Sequence, residues 1–292
     1  GSTFKPFVYA SALEQGASAC NYYNPQSVKY ASYENWAALN SDEEQNRFYT
    51  MKGALANSVN TVAVKVMQEA GINNVVNLAN QAGLENVPRV PSIALGTAEI
   101  NMLSLAQAYT IFLNDGKAAH PTLIQRIEDK EGNVLQEYFP EYRKEVISPE
   151  TAYMMVDMMR GVIRGGDGYF GTGVRLRNVY GVRQDIAGKT GTTNDASDNW
   201  FIGMTPHIVM GAWVGGEDRR IRFPQDGSYS IGQGARTALP IVGTFINYVT
   251  DDPEAYWGYD AFSPPPGFVM PEDPKEVRDE LGTDKNRGRI GW

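Results

Sequence analysis

The chain has 292 residues, 42% of them hydrophobic and 21% charged, an ordinary balance for a globular protein with a buried core. Its formal net charge is −8 and no dense Lys/Arg run occurs, which excludes an electrostatic footprint for nucleic acid. No apolar run reaches the roughly 18 residues that a membrane-spanning helix needs.

Residues 2–15 read as a helix, because Phe4, Phe7, Val8, Ala12 and Leu13 recur at helical spacing. Pro6 suits a first turn, where no amide donor is needed, and Gly16 is a C-terminal stop. Residues 17–50 are aromatic and Asn-rich, with turn signals such as Asn24-Pro25, and read as irregular. Residues 54–70 and 72–82 are apolar-periodic, each closed by a glycine, Gly71 and Gly83. Residues 103–113 give another helix, ending at Asp115-Gly116.

Residues 122–127 and 134–138 flank the turn Glu131-Gly132-Asn133 and predict a hairpin. A helix over 149–163 and a glycine-rich loop over 165–173 follow. Segments 186–192, 199–205 and 208–215 are spaced as antiparallel neighbours, and the last is so apolar that coverage on both faces is expected. Residues 237–249 read as a final helix. Residues 251–292, with Pro264-Pro265-Pro266, predict an extended or poorly ordered tail, so the domain reading is 1–250 plus tail.

Three features mimic functional signals. Gly166-Asp167-Gly168-Tyr169-Phe170-Gly171 spells a dinucleotide fingerprint, but a helix rather than a strand precedes it. Gly188-Lys189-Thr190 resembles the end of a phosphate loop, yet Arg183 occupies the place of the required first glycine. Cys20 is the sole cysteine, and neither His120 nor His207 forms a Cys-His signature with it. No nucleotide, cofactor or metal site is expected.

Ser2-Thr3-Phe4-Lys5 is different. It places a hydroxyl and an amine on one face of a helix start, so the amine can reach and activate the hydroxyl. Free backbone amides at a helix N-terminus also suit a developing oxyanion. A second element is Ser58-Val59-Asn60, at a junction within the helical region. A third is Lys189-Thr190-Gly191-Thr192 on a strand, where Gly191 would let a substrate backbone approach. S-x-x-K, S-x-N and K-T-G in this order are the trio of class A β-lactamases and penicillin-binding proteins.

On these residues the chain resembles the transpeptidase domain of a class A, bifunctional penicillin-binding protein. The segments that carry the likeness are Gly1 with Ser2-Thr3-Phe4-Lys5-Pro6-Phe7, Pro91-Ser92-Ile93-Ala94-Leu95-Gly96, and Ala187-Gly188-Lys189-Thr190-Gly191-Thr192-Thr193-Asn194-Asp195 with Asp198-Asn199-Trp200-Phe201-Ile202-Gly203. The resemblance implies an α+β fold of the serine D,D-peptidase/β-lactamase type, an antiparallel sheet flanked by helices with a mostly helical lobe that carries Ser58. It implies that Ser2 is acylated by a D-alanyl-D-alanine stem peptide and that Lys5 is its base. Ser58, with Lys189, would relay a proton to the leaving amine. Asn60 would bind the substrate amide and hold Lys5. Thr190 and Thr192, with Gly191 and Thr193 beside them, would take the substrate carboxylate. The Ser2 and Thr192 amides would form the oxyanion hole. The implied partners are donor and acceptor stem peptides and, as covalent ligands, β-lactams. The implied location is extracytoplasmic, through a membrane anchor upstream of this chain.

Lysine as base demands a pKa depressed by about three units, roughly 4 kcal/mol, which burial and the Lys189 charge would supply. A β-lactamase is less well matched, because Glu99-Ile100-Asn101-Met102-Leu103 lacks the Glu-x-x-Leu-Asn pattern of its deacylating loop. A D,D-carboxypeptidase, an antibiotic sensor and an inert scaffold stay open. The resembled fold has two strands before the Ser2 helix, the first pairing with 208–215. The chain is therefore expected to be a fragment that lacks them, with a frayed, protonated Gly1 amine beside Ser2.

Overall fold

A computed structural model describes residues 1–40, 47–139, 141–166, 169–193, 196–224, 231–252 and 259–272. The first helix starts as a 3-10 turn, Ser2–Phe4, and continues as α1, Lys5–Glu14. Its opening is thus tighter than the uniform helix expected. The Phe4 amide donates to the Gly1 carbonyl at 3.0 Å, and Pro6 follows in the first turn of α1, where no donor is demanded. Every residue of α1 from Lys5 to Leu13 is buried, so this helix is the axis of the core.

The described residues of segment 17–50 hold two-residue strands and a 3-10 turn, Ala31–Tyr33: the strands are β1 Tyr22–Tyr23, β2 Lys29–Tyr30, β3 Trp36–Ala37 and β4 Tyr49–Thr50, with β1 paired to β4 and β2 to β3. Then come α2 Met51–Ala56, α3 Asn60–Ala70 and α4 Ile72–Gln81. The helix expected over 54–70 is broken. Ser58 has φ +58°, a left-handed conformation through which a right-handed helix cannot run. A 3-10 turn, Pro91–Leu95, precedes α5, Met102–Tyr109, and another, Thr110–Phe112, follows it.

The hairpin is present but shorter than expected, with β6 Arg126–Glu128 against β7 Val134–Glu137. It is flanked by β5 Lys117–Ala119 paired to β8 Tyr142–Glu145. Both hairpin strands are exposed at every residue, so burial imposes no alternation to read.

The remaining elements are α6 Pro149–Arg164, α7 Arg175–Asn178, β9 Ala187–Thr192, β10 Asp198–Met204, β11 Val209–Gly215 and α8 Ala238–Thr250. The three strands form an antiparallel sheet in the order β11-β10-β9. β11 is not covered on both faces as expected. Met210 and Ala212 are buried while Gly211 and Trp213 are exposed, the alternation of a strand with one covered face. α8 packs on one sheet face through Ala238, Leu239, Val242 and Ile246, which join Phe201, Met210 and Ala212. The other face, through Ile202 and Met204, joins the larger core of α1, α3, α4, α5 and α6.

The tail residues 259–272 hold no helix or strand, but they are docked. The Phe262 amide donates to Asp185 at 3.1 Å, Phe268 packs edge-on to Tyr153, and Asp260 bonds His207 at 2.8 Å. The poly-proline stretch is thus a strap along α6. Residues 273–292 lie outside the described residues, as do Asn194, Asp195, Asp167 and Gly168 of the motifs above.

Candidate active site

Three chain segments converge where the helical lobe meets the free edge of β9. Lys5, at the start of α1, is fully buried. Its Nζ lies 2.6 Å from the Ser58 carbonyl oxygen, 2.7 Å from Asn60 Oδ1 and 3.2 Å from Ser58 Oγ. The left-handed turn at Ser58 lets one residue present both its carbonyl and its hydroxyl to that amine. Asn60 is oriented by a second bond, Nδ2 to the Leu39 carbonyl at 2.8 Å. From the sheet, fully buried Lys189 donates to Ser58 Oγ at 3.0 Å and to the Thr190 carbonyl at 2.9 Å.

Burial depresses both amines. Burial, and then the Lys189 charge, hold Lys5 well below the ordinary lysine value. Burial pushes Lys189 down to about 7.

Ser2 lines a cleft of about 890 Å³ together with Thr3, Trp36, Asn60, Thr192 and Thr193. Among the described residues, Ser2 Oγ has no hydrogen-bond partner, and Lys5 spends its contacts on Ser58 and Asn60. The direct Lys5–Ser2 bond that spacing suggests is therefore not made. The Ser2 amide, in the first turn, has no intrahelical acceptor. The Thr192 amide also points away from β10. Thr193 bonds Asp198, so the next pair, Thr192 with Asn199, is a non-bonded pair of the ladder.

Two sequence expectations need correction here. Gly191 does not face open substrate space. A Cβ there would stand 3.0 Å from Thr3 Cγ2 and 3.1 Å from Trp200 Cβ, so its bareness lets the Ser2 turn seat against β9. The Gly1 end is not frayed. Its amine donates to the Gly96 carbonyl at 2.6 Å, and burial pushes its pKa down to about 5 against the pull of Asp198.

Of the threonines, Thr192 Oγ1 accepts from the Gly234 amide at 3.0 Å. Thr190 is buried, and its Oγ1 is 2.7 Å from Thr172 Oγ1. Sequence reading missed Gly234 and Thr172. In the sequence, Gly171-Thr172-Gly173 reads as part of the glycine-rich loop over 165–173.

The competing motifs land elsewhere. Ser197-Asp198-Asn199 also spells S-x-N, but it follows the Lys189 motif in the chain; Ser197 bonds Thr193 and Asp198, each at 2.9 Å, and among the described residues makes no bond to either lysine. Cys20 faces the Pro271 carbonyl at 3.6 Å and does not line the cleft. Lys189 of the phosphate-loop mimic lies within β9 rather than at a helix start. The glycine loop follows α6 and not a strand. Among the described residues, no group of three or more His, Cys, Asp or Glu is placed to hold a metal ion, and no helix is long and apolar enough to cross a membrane.

The family model for the penicillin binding protein transpeptidase domain matches residues 1–215, well over half of the chain. The chain belongs to that family. Penicillin-binding protein 1A of Aquifex aeolicus is 35% identical over 288 residues, 95% of this chain and 36% of the relative. The crystal structure of penicillin-binding protein 1A from Haemophilus influenzae superposes with a TM-score of 0.80 at 27% identity, over 91% of this chain and 43% of that one. At 20% identity and a TM-score of 0.65, penicillin-binding protein A from M. tuberculosis, solved as its penicillin G acyl-enzyme, shares the fold over 86% of this chain and 60% of that one. The chain therefore spans about a third of its curated relatives' length. The α+β serine D,D-peptidase fold expected of a transpeptidase domain is the fold found.

Proposed function

We propose that this domain is a D,D-transpeptidase that forms an acyl-enzyme on Ser2 from D-Ala-D-Ala stem peptides. The observation that carries the reading is Ser58 Oγ, held between Lys5 at 3.2 Å and Lys189 at 3.0 Å beneath a cleft lined by Ser2.

A neutral lysine amine has two protons and one lone pair. At Lys5 the two short contacts, to the Ser58 carbonyl and Asn60, take the protons. The lone pair faces the Ser58 hydroxyl at 3.2 Å at rest and takes the incoming hydroxyl proton once Ser58 turns from it. With a stem peptide in the cleft, Ser2 Oγ attacks the carbonyl carbon of the penultimate D-Ala. Its proton passes to Lys5, and the carbonyl electrons become an oxyanion facing the Ser2 and Thr192 amides. Collapse breaks the C–N bond. The departing amine takes a proton from Ser58, which Lys5 replaces, while charged Lys189 steadies the hydroxyl. An acceptor stem amine then attacks the ester by the reverse route, forming the cross-link and freeing Ser2. A β-lactam would acylate Ser2 and remain, because its leaving group stays tethered. Stem peptides lie outside the cytoplasmic membrane, which places the domain there.

The test is an intact-mass measurement after incubation with benzylpenicillin. A mass gain of one penicillin, absent in Ser2→Ala, is expected. An inert scaffold gives no gain, and a β-lactamase gives only a transient one. Gain that persists in Ser2→Ala assigns the nucleophile elsewhere.

A further inference from the structure

The loop after α6 folds back across α2 and is held at both ends of that helix. The Tyr169 hydroxyl bonds Thr50, the residue that caps α2. Its ring fills the space where a side chain on Gly53 would sit, since a Cβ there would lie 1.9 Å from Tyr169 Cε1. At the other end, the Thr172 amide donates to the carbonyl of Ala56, the last residue of α2, at 3.0 Å. Ala56 leads within two residues to Ser58. The Thr172 hydroxyl meanwhile lies 2.7 Å from Thr190 Oγ1 on β9. One residue thus ties the segment entering Ser58 to the strand that carries Lys189.

Thr190 and Thr192 share a face of β9, two positions apart. The Thr192 hydroxyl accepts from the Gly234 amide, so its own proton is free to be donated. Thr190 has no amide in that place. Among the described residues its hydroxyl bonds only the Thr172 hydroxyl, and two hydroxyls in contact share one proton between them. If Thr172 donates, both threonines of β9 present free protons, which is what a carboxylate needs from neutral donors.

We infer that Thr172 is a positioning residue for carboxylate recognition: it donates to Thr190 Oγ1 and so turns the Thr190 proton toward the terminal carboxylate of the substrate. This rests on the transpeptidase reading above. Thr172 bonds Thr190 and does not line the cleft, so its effect would fall on binding of the carboxylate and not on the acylation step.

The experiment compares the unchanged domain, Thr172→Val, Thr172→Ser and Ser2→Ala. Each is acylated with benzylpenicillin and with its methyl ester, which lacks the carboxylate charge. Rates over a range of concentrations give a saturation constant and a limiting rate constant. Valine keeps the shape of threonine and removes the donor. It is expected to raise the benzylpenicillin saturation constant about tenfold, the worth of one hydrogen bond to a charged group, with the limiting rate constant and the ester reaction unchanged. Serine restores the donor and is expected to match the unchanged domain. If Thr172→Val does not fold, Thr172→Ala is read in the same way. Equal saturation constants, an equal loss on the ester, or a serine variant as poor as valine would each overturn the role of Thr172 while leaving Ser2 acylation standing. No acylation in the unchanged domain would overturn the function itself and this role with it.

Discussion

Lys189 Nζ lies 3.0 Å from Ser58 Oγ, joining residues 131 positions apart in the chain. That contact links sheet to helical lobe and puts a second amine beside Lys5. Because Lys5 also touches Ser58 Oγ, the hydroxyl can accept from one amine while donating to the other. The arrangement is fully bonded when Lys189 carries the proton and Lys5 does not, the protonation state a base at Lys5 requires.

The first prediction is the pH dependence. The neutral fraction of Lys5 grows as pH rises through its depressed pKa, so acylation by benzylpenicillin should climb on the acid side. Lys189 loses its proton above about 7, so acylation should fall on the alkaline side. The limbs belong to the pair, not to single residues. Lys189→Met removes a charge that depresses Lys5, so the Lys5 pKa rises and the acid limb should move to higher pH. An acid limb that stays in place in the variant shows that the two amines do not sense each other. Stability carries the same sign. The unfolded chain binds the Lys189 proton up to about 10.5 and the folded domain only to about 7, so the domain should gain stability as pH rises between them.

Ser58 separates conformation from chemistry. Its left-handed backbone costs a residue with a Cβ about 1 kcal/mol, and glycine escapes that cost. Ser58→Gly should therefore melt about 2–4 °C above Ser58→Ala. Both lack the hydroxyl, so both should acylate at least about a hundredfold more slowly than the unchanged domain. Differential scanning calorimetry beside mass-monitored acylation checks the pair. A glycine variant that melts below alanine would mean that Ser58 is not strained.

Much of this was legible in the chain. Periodicity found α1, α4, α6, α8 and the three-strand sheet, because each buries one face against a core and burial writes a period into sequence. The trio was legible because hydroxyl, amine and glycine stand at fixed spacing on rigid elements. What escaped was set by tertiary contact. The break at Ser58 has no glycine or proline to announce it. The β5–β8 pairing, three residues against four, is too short to write a readable alternation. Gly191 looked like a substrate approach, yet Thr3 fills that space. The strap over 259–272 reads as extended or poorly ordered by composition, and tertiary partners such as the Asp185 carboxylate, the Tyr153 ring and His207 give it a place to dock.

Gly191→Ala should uncouple the Ser2 turn from β9. The new methyl would meet Thr3 Cγ2 at 3.0 Å and Trp200 Cβ at 3.1 Å, both close to backbone with little room to rotate away. Overpacking of this kind costs about 1–3 kcal/mol, and a shift of a fraction of an ångström between Ser2 and the Thr192 amide should slow acylation about tenfold or more. Saturation kinetics with benzylpenicillin should show the loss in the limiting rate constant. An unchanged rate constant would mean that the two segments are not held in register by this contact.

The strap gives the last prediction. Asp185 receives Arg160 Nε at 2.9 Å, Arg160 Nη2, Arg164 and the Phe262 amide, while the Arg160 guanidinium lies over the Phe262 ring. Burial works against the Asp185 charge, but the Arg160 and Phe262 bonds outweigh it and hold the carboxyl below its usual value. Asp185→Asn keeps the volume and leaves Arg160 without its counter-charge, which should cost about 3 kcal/mol. Melting should drop by several degrees, and protease should cut within residues 259–272 well before the unchanged domain is cut. Acylation at 25 °C should not change, because Asp185 does not line the cleft. The sign of the pH effect follows from a depressed acid. The unchanged domain keeps this stability above the unfolded carboxyl value of about 3.9 and loses it as pH falls through the folded value. The asparagine variant has no such charge to lose, so the two melting temperatures should converge toward pH 3. A gap that stays constant down to that pH would show that the Asp185 charge does not hold the strap.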